Sequence, residues 1–280
     1  MPEPHPHNPL MVYAENPHKE EDRLLQESMS AVRRKLVVLS GKGGVGKSTV
    51  AANLAFALAA GGRTVGLLDV DIHGPSIPRL VGLTGAVLET EGGRILPVRA
   101  ADRLAVMSIG FLLASPEDAV IWRGPLKYGA IKQLLSEVAW GELGDLIIDC
   151  PPGTGDEPLS VSQLVGRPAG AVVVTTPQEL AVADVRRCVS FCRKAELSIA
   201  GIVENMSGCV CPECGKEFPL FGAGGGERLA REMDVPFLGR IPLDGAIVQC
   251  GDAGAPFFER APDGASAKAF REIVERIGGA

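Results

Sequence analysis

Residues 41–48 read Gly41-Lys42-Gly43-Gly44-Val45-Gly46-Lys47-Ser48. The octapeptide satisfies the pattern G-x-x-x-x-G-K-[ST] in full, and that pattern has structural meaning only between a strand and a helix. Both are legible. Lys35–Ser40 (KLVVLS) is a continuous apolar run that predicts a buried strand, and Ser48–Ala60 carries Ala, Leu and Phe at helical spacing. The glycines let successive backbone N–H groups curl around phosphate oxygens with no side chain in the way. The helix beginning near Lys47 adds its positive dipole end. The expected nucleotide site is therefore the backbone of Gly43, Gly44, Val45, Gly46, Lys47, Ser48 and Thr49. Lys47 places a cation at the β- and γ-phosphates, and Ser48 offers a hydroxyl to Mg²⁺.

Outward from this loop the pattern alternates. Strands are expected at Thr64–Asp69, Leu104–Ile109, Asp145–Asp149, Gly170–Thr175, Ile199–Asn205 and Phe237–Ile241. Helices are expected at Pro125–Val138, Leu180–Lys194 and Ser266–Ile277. Apolar strands alternating with helices predict an α/β fold with a mainly parallel sheet covered by helices on both faces. Met1–Pro17 reads as a flexible tail, and Glu20–Arg34 has the composition of a lead-in helix. The division is thus 1–34, tail and lead-in helix, and 35–280, a single P-loop domain.

Composition sets limits. The 280-residue chain is 46% hydrophobic, enough for one sizeable core, and its net charge of −6 gives no basic field for nucleic acid. No apolar run approaches the roughly 20 residues of a membrane span, and the polar start lacks a signal-peptide core. The cytoplasm is the expected compartment, where the seven cysteines serve metal binding, redox chemistry or packing.

Asp69 and Asp71 end the second strand, in LLDVDIHGPS, and strand-end carboxylates face the ligand crevice of a parallel sheet. Asp69 is expected at Mg²⁺ through water and Asp71 at the attacking water or the metal; a pair of turn-forming aspartates is the alternative. Asp149 closes Leu146-Ile147-Ile148-Asp149, a Walker B-like strand that supplies a magnesium carboxylate. Cys150-Pro151-Pro152-Gly153 then forms a stiff turn in which Gly153 can offer its N–H to a γ-phosphate. Asn205 can read N6 and N7 of adenine, or simply cap a turn, with Pro242 in the opposite wall.

Cys211-Pro212-Glu213-Cys214-Gly215 is a metal knuckle that supplies two ligands where tetrahedral zinc or a cubane cluster takes about four. A second copy across a symmetric dimer, a third ligand from Cys209, or a redox dithiol each resolves the shortfall. Cys188 and Cys192 share a helix face and read as core, Cys150 as packing or a redox sensor, and Cys250 as part of a Gly-rich C-terminal loop. His73 reads as a turn histidine.

Lys42 inside the loop resembles the deviant Walker A group, which includes the MinD and ParA ATPases and the nitrogenase iron protein. K-G-G-V-G-K-S, D-x-D-I-x-G-P-S, I-I-D-x-P-P-G-T-G-D, E-N-M-S-G with C-P-x-C-G, and G-G-G-E occur together and in order. Over Lys35 to about Leu243 the chain resembles the Mrp (ApbC/Nbp) family of ATP-binding iron–sulfur carriers. The resemblance implies slow, Mg²⁺-dependent ATP hydrolysis in a homodimer, with Lys42 reaching the partner's nucleotide, Asp71 as the switch I aspartate and Asn205 at adenine. It further implies a [4Fe–4S] cluster bridged by Cys211 and Cys214 of two copies. The partners it implies are apo iron–sulfur client proteins and a cluster-assembly scaffold, not nucleic acid or membrane. Met1–Ser40 has no cysteine, so no second N-terminal cluster is expected. A MinD/ParA-like positioning ATPase with a structural zinc knuckle is the competing expectation, and an electron-transfer reductase is a third. The mixed charge of Ser266–Ile277 favours docking on its own domain over a membrane.

Overall fold

The computed structural model describes residues 17–112, 124–210, 214 and 216–278. In chain order the elements are α1 (Pro17–Ser30), β1 (Val32–Ser40), α2 (Lys47–Ala60), β2 (Val65–Asp69), α3 (Ile77–Leu80), β3 (Thr90–Glu91), β4 (Arg94–Ile95), β5 (Val98–Ala101) and β6 (Leu104–Ser108). Then follow α4 (Gly124–Ser136), β7 (Leu143–Asp149), α5 (Asp156–Leu164), β8 (Ala169–Thr175), α6 (Glu179–Lys194) and β9 (Ser198–Glu204). The remainder is β10 (Cys209–Val210), β11 (Glu217–Phe218), α7 (Gly225–Glu232), β12 (Phe237–Arg240), α8 (Gly245–Ala253), α9 (Phe257–Arg260) and α10 (Ala265–Gly278).

Eight strands form one sheet in the order β12-β9-β8-β1-β7-β2-β6-β5. All neighbours are parallel except β5, which runs antiparallel to β6. Side chains alternate across the pleat. Leu36 and Val38 enter one core with α2, α9 and α10, while Val37 and Leu39 enter the other with α4, α5 and α6. Ten of the fourteen residues of α2 are buried, so this helix needs cover on both sides: the sheet on one and α10 on the other. Burial of Leu54 and Leu58, both 0% exposed, contributes about 1.5–3 kcal/mol each.

The chain leaves β1, passes through α2 and returns at β2 with β7 lying between them, while β8 sits on the other side of β1. This is a topological switch point, and its crevice opens at the carboxyl ends of the strands. The segments after β1, β2, β7 and β9 all emerge there.

Three expectations are corrected. The lead-in helix ends at Ser30, and Val32–Arg34 belong to β1, so a boundary at residue 34 falls inside a strand. The reason is pairing: Val32 and Arg34 register with Leu143 and Asp145 of β7, and the fully buried Asp145 is neutralised by Arg34 at 2.5 Å and by Arg63. Cys250 lies buried on α8 rather than in a loop. Five short strands, β3 to β5, β10 and β11, and the helices α3, α5, α7, α8 and α9 were not expected. The apolar face of α10 docks on its own domain as expected, with Phe270, Ile273 and Ile277 buried.

Candidate functional site: a phosphate loop joined to a cysteine hairpin

Residues 41–46 connect β1 to α2 without a side-chain cap. Gly46 adopts φ 79°, ψ 26°, and a Cβ there would stand 2.3 Å from Asn205 Nδ2. Only glycine satisfies both conditions. Gly41 answers to a different demand, since its Cβ would collide with the Asp184 backbone of α6 at 2.5 Å. The first glycine of the motif thus serves helix packing rather than phosphate.

Lys47 is buried, and its Nζ donates to Asp149 Oδ1 at 2.5 Å and to Ser48 Oγ at 3.1 Å. Asp149 is 0% exposed, and its Oδ2 is buried with no hydrogen-bond partner among the described residues. Burial pushes its carboxyl above the usual range, opposed by the Lys47 ammonium. An orphaned carboxylate oxygen beside a serine hydroxyl and a lysine suits a hydrated divalent cation carrying phosphates.

Asp69 faces Asp149 in register across β2 and β7. Burial first, and the Asp149 charge second, raise its pKa. Its oxygens are already engaged: Oδ1 accepts from Asp71 N–H at 3.0 Å, and Oδ2 from Ile77 N–H at 3.2 Å and Ser108 Oγ at 3.1 Å. Asp69, expected at magnesium through water, thus braces the Asp71 loop. Asp71 is half-buried at the mouth of the phosphate loop. Its Oδ1 accepts from the N–H groups of His73 and Gly74, and its Oδ2 has no partner among the described residues.

Two further expected ligand groups have protein partners. The Gly153 N–H donates to Ser40 O at 2.9 Å and is not free for a phosphate in this conformation. Asn205 is neither a plain turn cap nor an open adenine reader, because its Nδ2 donates to Val45 O at 2.9 Å. Lys42 is half-buried and makes no side-chain hydrogen bond or ion pair among the described residues.

Two cavities meet at the loop. One of about 330 Å³ is lined by Lys42, Gly43, Gly44, Gly46, Lys47, Ser48, Thr49, Asp71 and Pro152. The other, about 340 Å³, is lined by Asn205, Met206, Pro242, Asp244 and Val248. They share Gly46, Thr49, Ser76 and Leu80. The first has phosphate-binding chemistry and the second is mainly apolar, as a base requires.

The cysteine hairpin hangs from the wall of the second cavity. Ser207 N–H donates to Ile241 O at 2.9 Å, Leu243 N–H to Gly208 O at 2.8 Å, and Cys209 bridges to Leu243. Cys209 and Val210 pair with Phe218 and Glu217. Cys214 is exposed, whereas Cys211 lies outside the described residues. Among the described residues, which do not include Cys211, no group of three or more His, Cys, Asp or Glu side chains is placed to hold a metal. Cys150, Cys188 and Cys192 are buried, and burial raises the Cys150 pKa, which favours packing over redox sensing.

Two features escaped the sequence reading. Lys127 Nζ donates to Glu157 Oε1 at 2.6 Å and lies 2.9 Å from His73 Nε2, linking the Asp71 loop to the start of α5. Glu204 is a fully buried carboxylate at the end of β9. The first joins residues distant in sequence and left no local signal. The second was visible only as a charge closing an apolar strand.

Residues 31–278 match the model of the ParA family described as NUBPL iron-transfer P-loop NTPase. The chain belongs to this family. It is 48% identical over 256 residues, 91% of its own length and 86% of the relative's, to an iron–sulfur cluster carrier protein of Saccharolobus solfataricus. Among solved structures it resembles a nucleotide-binding protein of Archaeoglobus fulgidus in complex with ADP, with TM-score 0.75 and 42% identity over 84% of this chain and 92% of that one. It also resembles the cell-division ATPase MinD of Pyrococcus furiosus, with TM-score 0.62 and 26% identity over 88% and 99%. The ParA/MinD-like fold, a P-loop on a mostly parallel sheet, is the one the sequence implied. Among the described residues no helix is long and apolar enough to cross a membrane.

Proposed function

We propose that this family member is a slow, Mg²⁺-dependent ATPase that carries an iron–sulfur cluster and delivers it to apo-proteins. The observation that carries the reading is the junction just described: the wall of the base cavity, Ile241–Leu243, is hydrogen-bonded to the stem of the cysteine hairpin. The name of the Saccharolobus relative supports the cargo, and the ADP complex of the Archaeoglobus protein supports the ligand.

The roles follow from position. The N–H groups of Gly43–Thr49 cradle the phosphates, and Asn205, with Pro242 opposite, borders the base. Lys47 exchanges Asp149 for the β- and γ-oxygens. Ser48 and Asp149 hold Mg²⁺, which supplies charge neutralisation at the phosphates when bound. Asp71 orients water through its unengaged Oδ2, and Lys42 meets the nucleotide of a second copy. Phosphoryl transfer needs mainly positioning and charge compensation, and these groups provide both. Cys211 and Cys214 of each protomer hold a [4Fe–4S] cargo on the twofold axis of a homodimer, received from an assembly scaffold. The protein works in the cytoplasm, without nucleic acid or membrane.

Iron, acid-labile sulfide and zinc per dimer in protein purified without oxygen test this reading, with C211A/C214A alongside. Roughly four iron and four sulfide, lost in the double variant, are expected. Stoichiometric zinc, or iron indifferent to the substitutions, overturns the carrier function and leaves a MinD/ParA-like ATPase with a zinc knuckle.

A further inference from the structure

The cysteine-bearing excursion leaves the sheet at Ser207 and re-enters the fold at Gly224. One side chain grips both ends. Glu204 Oε1 accepts from Ser207 Oγ at the exit and from Gly224 N–H, 2.8 Å, at the re-entry. Its Oε2 accepts from Gly226 N–H at 2.5 Å, inside the first turn of α7. Arg240 Nε lies 3.7 Å away, and Arg240 is held in turn by Glu227.

Glu204 is 0% exposed. A buried carboxylate is costly unless donors surround it, and even then it adds little stability over a packed apolar side chain. What such a group does is fix geometry, and here it closes the mouth of the segment that contains Cys211 and Cys214. The next residue is Asn205, which holds Val45 of the phosphate loop, and Met206 after it has φ 56°, a strained value for a side chain of its size. Residues 204–207 thus run from the carboxylate clamp past the base cavity to the hairpin stem. A base entering that cavity would compete with Val45 O for the Asn205 amide. A displacement there reaches Ser207, and the clamp passes it to both stems of the excursion at once.

We propose that Glu204 is a positioning residue that couples occupancy of the nucleotide pocket to the conformation of the cysteine excursion, touching neither nucleotide nor metal. The inference rests on the nucleotide-binding part of the proposed function and is independent of which metal the cysteines carry.

The test is site-resolved alkylation of Cys211 and Cys214 in metal-free, full-length protein, with and without Mg²⁺ and a non-hydrolysable ATP analogue. The analogue should change the wild-type labelling rate by about fivefold or more, the low end of ordinary allosteric couplings. In Glu204→Gln the difference should vanish while affinity for the analogue is kept, because the neutral amide turns a donor toward Ser207, Gly224 or Gly226. Ser207→Ala removes only the exit contact and should reduce the difference. It decides the matter should the glutamine variant fail to fold. A wild-type rate that ignores nucleotide overturns the proposal. So does a Glu204→Gln protein that retains the difference, or one that loses analogue affinity along with it, and so does an unchanged Ser207→Ala. Reading thiols in metal-free protein separates this result from failure of the cluster assignment.

Discussion

Replacement of Gly46 by Ala probes the contact on which the proposed nucleotide site turns. Two costs arise. The new side chain sits at φ 79°, and the left-handed region costs an L-residue about 1–2 kcal/mol. The Cβ also stands 2.3 Å from Asn205 Nδ2, so the amide must leave Val45 O. A buried amide that loses its partner costs about 1–3 kcal/mol. Gly44 provides the control. It has φ 80° but no atom of the described residues within 4 Å of its Cβ, so Gly44→Ala meets the first cost alone. The difference between the variants isolates the Asn205 contact at about 1–3 kcal/mol. For a chain of this size each kcal/mol moves Tm by about 2–4 °C. Apo Gly46→Ala should therefore melt at least about 2 °C below apo Gly44→Ala in a thermal scan. Calorimetric ADP affinity should fall further in Gly46→Ala, by about fivefold to 150-fold relative to the control. Equal melting temperatures and equal affinities in the two variants would refute the argument that Asn205 is placed by the loop.

The two raised carboxylates make apo stability pH-dependent. Burial raises native Asp69 and Asp149 above the ordinary value of 3.8, so at a given pH above it the native carboxyls bind more protons than those of the unfolded chain. The stability from this source is complete below 3.8 and is lost as pH rises through the raised native values. Apo Tm should climb as pH falls from 8 toward 5, and a profile that stays flat or rises toward pH 8 contradicts the linkage. Lys47→Met leaves Asp149 buried without its cation, which costs about 3–5 kcal/mol where the carboxylate is charged. The variant should lose less Tm at pH 5 than at pH 8, because Asp149 neutralises itself; an equal loss argues against the ion pair. Glu157→Gln breaks the Lys127 link between the Asp71 loop and α5 without touching the phosphate cradle. Steady-state ATPase assays should show lower kcat while ADP affinity by calorimetry stays at the wild-type value, and unchanged kcat would show that the link is idle.

The sheet was legible because each central strand is an uninterrupted apolar run closed by a polar residue at the ligand edge. The octapeptide after β1 then located that edge. What stayed hidden follows from range. β3 and β4 are two residues each, too short for any period, and β5 runs antiparallel with its residues half-exposed. Val32–Arg34 look helical in composition, yet become strand because Asp145, distant in sequence, needs Arg34. Asp69 and Asn205 were placed correctly at strand ends, but their partners come from elsewhere in the chain, Ser108 from the end of β6 and Val45 from the loop after β1. Position in the crevice can be read from one segment; hydrogen-bond partners cannot.

Those partners carry a consequence for how the proposed ATPase would tell its nucleotides apart. Lys47 is bonded to Asp149, Asn205 to Val45 O, and Gly153 N–H to Ser40 O. Each of these three groups is already satisfied, so its contact with a ligand exchanges a hydrogen bond rather than adding one, and the net gain per contact is modest. The exchanges differ in what they require. A diphosphate can occupy the loop and the base cavity while the turn after β7 stays latched to the end of β1. A γ-phosphate that takes the Gly153 N–H must first break that latch, and the released segment continues directly into α5, where Glu157 is tied through Lys127 to the Asp71 loop. In the proposed ATPase the third phosphate would thereby be converted into movement of two linked loops, whereas a diphosphate would have no such donor to compete for. On that proposal discrimination would reside in the Gly153–Ser40 bond rather than in the phosphate loop.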